Sequence, residues 1–165
     1  MQKSALFGFL LAGVCSHALA ADALAQAKPL SSPQQSTDVA PSGAATTVAT
    51  GKLHGILHKT SGTVSILSTA DGGHVLRLEN FQTSNGPDVR VYLVKGTNAD
   101  NTDFIKASGD NFVDLGALKG NKGDQNYTIP SNVNLDEYKS VSIWCRRFAV
   151  NFGAAPLEPT GQVVP

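Results

Sequence analysis

Long apolar runs, cysteine and net charge are all scarce in this chain of 165 residues. Its longest apolar run, Ala5 to Val14, is too short to span a bilayer as a helix, and no other stretch is longer. No transmembrane segment is therefore expected. Lysine plus arginine and aspartate plus glutamate number 13 each, so the formal net charge is zero. That balance argues against a nucleic-acid or anionic-membrane partner. Hydrolytic signatures are missing too. There is no Gly-x-Ser-x-Gly elbow and no His-Glu-x-x-His helix, and Gly116 to Gly123 has the wrong Lys-Gly order for a phosphate loop. These absences weigh against an enzyme. No C-x-x-C-H attaches a covalent haem, and no methionine stands near Cys145 as in blue copper sites.

The two cysteines are Cys15 and Cys145. Cys15 falls in a segment that reads as an export signal. Lys3 supplies the positive start, Ala5 to Val14 the apolar run, and Ala18-Leu19-Ala20 the small residues a signal peptidase reads. Val14 is a poor residue immediately before a lipidated cysteine, so a lipid anchor at Cys15 is disfavoured. The expected product is periplasmic or secreted. Once the leader is removed only Cys145 remains, and an intramolecular disulfide is excluded. A lone thiol in an oxidising compartment is buried, a ligand, paired with another chain, or reactive. Burial is its commonest fate.

Residues 21–50 are dominated by Ala, Gln, Ser, Thr and Pro without an aromatic, which predicts a disordered linker after the signal peptide at 1–20. Residues 158–165 read as a flexible tail. One domain, 51–157, is left, with no internal repeat. Within it short runs of Val, Ile, Leu, Phe and Tyr alternate with Gly, Asn and Asp turns, and no long helical period appears. Strands are expected at Lys52–His58, Thr63–Ser68, His74–Phe81, Val89–Val94, Phe112–Leu118, Asn126–Ile129, Ser140–Cys145 and Phe148–Phe152. Asp71-Gly72-Gly73 signals a hairpin, Gly86-Pro87-Asp88 a turn, and Gly96 to Asn111 a longer polar loop. The pattern predicts an all-β, antiparallel sandwich or barrel-like domain.

Strand parity bears on the thiol. Val141, Ile143 and Cys145 share one face, with Ser142 and Trp144 on the other. Phe148, Val150 and Phe152 have the opposite parity, so a bulge or bend is expected around Arg146-Arg147. If Val141 and Ile143 face the core, so does Cys145.

Several segments occur in an order that resembles a known family. They are His58-x-x-Ser61-Gly62, Leu78-Glu79-Asn80-Phe81, Gly86-Pro87-Asp88, Val91-Tyr92-Leu93, Leu115-Gly116-x-Leu118-Lys119-Gly120, Gln125-Asn126-Tyr127-x-Ile129-Pro130, Tyr138-x-Ser140-Val141, Ile143-Trp144-Cys145 and Phe148-x-Val150-x-Phe152-Gly153. Together they resemble the DM13 domain across 51–157. The resemblance implies a β-rich extracytoplasmic domain, associated in animals with cytochrome-like DOMON domains and proposed to act in electron transfer. It implies that the cysteine matching Cys145 is a bare redox thiol or the ligand of a prosthetic group such as haem. This chain has no DOMON partner, so any electron partner would be a separate protein.

The candidate residues then fall into place. Cys145 is the redox candidate; a nearby Arg146 or Arg147 would favour its thiolate. His58 matches the family's histidine and could join Cys145 as a ligand of a metal ion or haem. Trp144, with Tyr92 and Tyr127, could relay electrons or simply pack. Asp88 reads as a cap on its own turn. The metal and cofactor are left open between haem, a metal ion and none. The leading reading is a non-enzymatic redox or electron-transfer module centred on Cys145 with a separate partner protein. The alternative is a ligand- or protein-binding module in which Cys145 only packs, and a third is a metal carrier using His58 and Cys145. The bare-thiol version needs a reachable sulfur. The carrier needs the His58 ring within about 4 Å of it.

Overall fold

A computed structural model describes residues 38–41, 43, 45–107 and 109–161. The expected signal peptide and residues 21–37 of the expected linker lie outside the described residues. The strands are β1 (Thr46–Lys52), β2 (His54–Gly55), β3 (Ser61–Ser68), β4 (His74–Gln82), β5 (Val89–Val94), β6 (Phe112–Ala117), β7 (Gln125–Ile129), β8 (Ser140–Cys145), β9 (Val150–Pro156) and β10 (Glu158–Pro159). They form two five-stranded antiparallel sheets in the orders β10-β1-β3-β4-β7 and β2-β9-β8-β5-β6. This is the sandwich that period-two alternation predicts. Val64 and Ile66 of β3, Leu76 and Leu78 of β4, Val91 and Leu93 of β5 and Val141 and Ile143 of β8 fill the space between the sheets.

Along one edge the chain changes sheet twice, at Leu53 between β1 and β2 and at Leu157 between β9 and β10. Both leucines are buried in the core. The crossing is tight. A Cβ at Gly51 would lie 2.0 Å from the Pro156 carbonyl oxygen, so only glycine fits there. Two expectations are corrected here. Thr46 to Thr50 belong to β1 instead of the linker, because they pair with Ile66 to Ser68 and with Ser65 across the first sheet. Glu158–Pro159 pair with β1 and Thr160 bonds the Thr47 and Val48 carbonyls, so the expected flexible tail is held to the sheet through Thr160. The expected strand Lys52–His58 is also broken. It turns the corner at Leu53, and Ile56 to His58 form a bend.

The first sheet's outer face is partly covered by the chain before β1. Arg77 of β4, only 7% exposed, bonds Glu79, Asp124, Asn126 Oδ1 and the Asp38 carbonyl there. The Asp38 carboxylate accepts from Lys119 Nζ and from the Asn126 backbone N–H, which holds its carboxyl below the usual carboxylate range. A polar linker reading could not foresee this, since the partners lie more than 35 residues away in sequence.

The second sheet is buried on both faces at its central strands β8 and β9. Its outer face carries Tyr92, Val94, Trp144 and Ala154, and the 96–111 segment packs onto them through Ala99, Phe104 and Ile105. The sequence reads this segment as a polar loop, but it holds a helix, α1 (Thr102–Lys106). Asn101 caps α1, its side-chain oxygen accepting from the Phe104 N–H at 3.0 Å. The expected bend at Arg146-Arg147 is a hairpin turn from Arg146 to Ala149, with Ala149 in a left-handed conformation at φ 51°. The strand expected from Phe148 therefore starts at Val150, and the parity change is taken up by a bulge between Ile143 and Trp144 that lets Phe152 reach the core.

The corner makes a direct prediction. Gly51→Ala must push β1 away from β9, so urea unfolding should show a loss of about 1–3 kcal/mol, the range for overpacking a core. An unchanged midpoint would mean the crossing is loose.

Candidate functional site

One end of the sandwich collects most of the candidate residues. β8 runs to this end and stops at Cys145, whose register neighbours are Val89 on β5 and Val150 on β9. The parity argument holds: Cys145 faces inward with Val141 and Ile143, 0% exposed, inside the main core. Its thiol makes no hydrogen bond to the described residues. Neither arginine stands by it. Arg146 Nε bonds Asp88 Oδ2 at 2.8 Å, and Arg147 is exposed without an ion-pair partner among the described residues.

Asp88 is more than a turn cap. Its carboxylate bridges Arg146 and Arg90 Nη1, at 3.5 Å, while its backbone carbonyl accepts from the Arg146 N–H. Arg90 in turn bonds Asp114 Oδ2 at 2.6 Å. The result is a chain of four alternating charges, Asp114, Arg90, Asp88 and Arg146, tying β5, β6 and the β8–β9 turn together. Partial burial disfavours the charged Asp88 carboxyl, but Arg146 and Arg90 together outweigh that and hold it below the usual carboxylate range. Sequence reading missed Arg90 and Asp114. The available signal was a charge on an otherwise apolar strand in each case.

Beside Asp88 lies a polar cleft of about 220 Å³. Ser84 to Val89 form one wall and Ala117, Leu118, Gly120 and Asn121 the other. Asn121 Oδ1 is buried there without a hydrogen-bond partner among the described residues. The cleft and the thiol share Val89, which lines the first and pairs with the second. Behind it Thr60 Oγ1 joins Thr83 Oγ1 at 2.8 Å and donates to the Phe152 carbonyl at 3.1 Å, binding the two sheets at this end.

Trp144 lies on the outer face of its sheet, and His58 stands at this end, its backbone N–H bonded to the Phe152 carbonyl, without meeting the thiol. Trp144 faces the outer cluster, stacked toward Tyr92 at 6.3 Å between ring centroids, and Tyr92 stacks on Phe112 at 4.2 Å. Burial raises the Tyr92 hydroxyl above its ordinary value. Tyr127 is on the opposite sheet, its hydroxyl donating to Gln125 and likewise pushed up by burial. His58 lies in the bend after β2 with its ring against Phe152 at 3.9 Å. No hydrogen bond or ring contact joins it to Cys145 among the described residues, and no three His, Cys, Asp or Glu side chains gather there into a metal-binding group. The residues present do not fit a prosthetic group held by Cys145. The sulfur faces close-packed apolar side chains, and neither Cys145 nor His58 lines the cleft, which is itself below the usual ligand-pocket range of about 300–1,000 Å³.

Fold and site thus define an all-β sandwich with a buried thiol at the end that carries a small polar cleft. The family model described as electron transfer DM13 matches residues 52–157, and the chain belongs to that family. The match spans the resemblance drawn from the ordered motifs. No curated protein and no solved structure matches the chain.

The charge chain sets a pH dependence. Asp88 has a folded pKa below its unfolded value, so its contribution to stability is complete above the unfolded value near 3.9 and is lost as pH falls through the folded one. Asp88→Asn should lower the thermal midpoint at pH 7, and the gap from wild type should close toward pH 2. A gap that is constant with pH would mean the carboxylate's charge is not what matters.

Proposed function

We propose that this chain serves electron transfer as a non-enzymatic recognition domain outside the cytoplasm. It offers the Asp88 cleft to a separate partner, while Cys145 stays in the core. The observation that carries this reading is the complete burial of the thiol. Thiol–disulfide exchange needs a thiolate to reach another sulfur, and here Val, Ile and Phe side chains stand in the way. Residues of family motifs spread along the sequence, Gly86-Pro87-Asp88 with Leu118 and Gly120, meet instead at one cleft. That convergence supports a binding role for this end. Export rests on the leader pattern of Lys3, Ala5 to Val14 and Ala18-Leu19-Ala20.

A second reading keeps Cys145 as the redox thiol. One observation favours it: Cys145 ends its strand next to a turn in which Ala149 holds a strained left-handed conformation. Opening that turn would release the sulfur without unfolding both sheets.

Thiol titration separates the two, in a Cys15→Ser background so that a single thiol is counted. The recognition reading expects no reaction in the folded protein over minutes and one equivalent after denaturation. It also expects a colourless, metal-free sample, and a Cys145→Ala variant that is folded but about 1–2 kcal/mol less stable from lost packing. Rapid labelling of the native protein would favour the redox thiol. A chromophore or stoichiometric metal that disappears in Cys145→Ser would make Cys145 a ligand and overturn the recognition reading.

A further inference from the structure

Four large apolar side chains are exposed among the described residues: Val39, Ile56, Leu57 and Phe148. Three of them stand on neighbouring turns at the cleft end. Ile56 and Leu57, 41% and 62% exposed, sit in the bend after β2. This bend is tied to the start of β9 by Ile56 N–H to the Phe152 carbonyl and Leu57 N–H to the Asn151 carbonyl, at 3.0 and 3.1 Å. Phe148, 62% exposed, stands on the neighbouring β8–β9 turn, closed by Ala149 N–H to the Arg146 carbonyl. Each turn also carries a cation beside its apolar residues. These are Lys59 on the first and Arg147 on the second, both exposed and without an ion-pair partner among the described residues. By contrast Arg90 and Arg146 are consumed by Asp88 and Asp114.

We propose that these two tips dock the protein on an anionic lipid bilayer, with Ile56, Leu57 and Phe148 entering the headgroup–acyl boundary and Lys59 and Arg147 meeting lipid phosphates. A stable, specific protein–protein contact buries about 800 Å² of matched surface on each side. Three side chains on two turns offer a small footing that a fluid boundary accepts without shape matching. The zero net charge of the chain, read from sequence as an argument against such a surface, does not oppose it. Charges are screened beyond about 8 Å at physiological salt, so the lipid responds to the cations nearest it. At this end the acid Asp88 is already neutralised by two arginines. The cleft lies at the same end, so a partner that binds it would be met at the membrane surface, and the vesicle test reads the bilayer contact alone.

Co-sedimentation of the full chain with vesicles tests it, using phosphatidylcholine alone and phosphatidylcholine with about one third phosphatidylglycerol. The Ala5 to Val14 run is common to every variant, so only ratios to wild type count. The double variant Leu57→Ser with Phe148→Ser should weaken partitioning by about tenfold or more on the mixed vesicles. Lys59→Gln with Arg147→Gln should lose roughly fivefold per charge on the mixed vesicles and nothing on phosphatidylcholine alone. All four side chains are exposed, so the thermal midpoints should stay near wild type and loss of binding would not be loss of fold. Unchanged binding by both double variants overturns the proposal, as does an apolar variant that abolishes self-association of the protein while leaving vesicle binding intact.

Discussion

The architecture depends on β8 being buried on both faces. A strand in that position can bury apolar side chains freely, but each polar group it carries must find a partner inside. β8 carries Ser140 and Ser142 on the face away from the core. Ser142 Oγ meets Asn151 Oδ1 of β9 at 3.0 Å, and Asn151 Nδ2 donates to the Ala99 carbonyl at 2.6 Å. Ser140 Oγ accepts from the Ala99 N–H and bonds the Gly96 carbonyl at 2.8 Å. Three small polar side chains thereby fasten the 96–111 segment over the sheet, and Trp144 and Tyr92 can then be dry beneath its Ile105. Without that cover the outer face would be a large apolar surface open to water.

Burial on both sides also decides what β8 can do at its end. Its core face is committed to packing, its outer face to the cover, so Cys145 has no route to solvent along the strand. What reaches the surface is the turn that follows. Arg146 is held by Asp88 through both side chain and backbone, which aligns the turn with the start of β5 and sets the wall of the cleft. The Thr60–Thr83 bond performs the same service across the two sheets. The cleft is thus a consequence of how the strands are tied off at one end, with no element dedicated to it.

Much of this was legible in the sequence where the causes are local. Alternation found the central strands, the Asp71-Gly72-Gly73 hairpin followed from glycine's tolerance of positive φ at Gly72, and parity alone turned Cys145 inward. The losses share a cause. β1 looked like linker because its Thr, Ala and Gly continue the Ala-, Ser-, Thr- and Pro-rich composition before it, and β10 is two residues paired with a strand over 100 positions away. The 96–111 segment looked solvated because its apolar residues are few and dispersed among polar ones. The role of Asp88 was read from its own turn, whereas its arginines come from β5 and from the far end of β8. The His58–Cys145 pairing rested on the resemblance alone, and the sequence has no means to measure the space between two turns.

Burial changes the kinetic meaning of a lone thiol more than its chemistry. Exposing Cys145 requires an opening whose free energy lies between that of a frayed turn and that of the whole domain, typically 5–15 kcal/mol for global unfolding. An opening of about 5 kcal/mol leaves roughly one molecule in 5,000 reactive at any moment, and slows labelling or oxidation by the same factor. In an oxidising compartment that factor is the difference between a thiol that survives and one that pairs with whatever it meets. The stability of the Arg146 to Ala149 turn is therefore the quantity on which the two functional readings part. If Asp88 holds the turn shut, recognition is the function and the thiol is protected core. If a partner that binds the cleft draws Asp88 away from Arg146, the same contact that signals binding would unfasten the strand end that covers the sulfur.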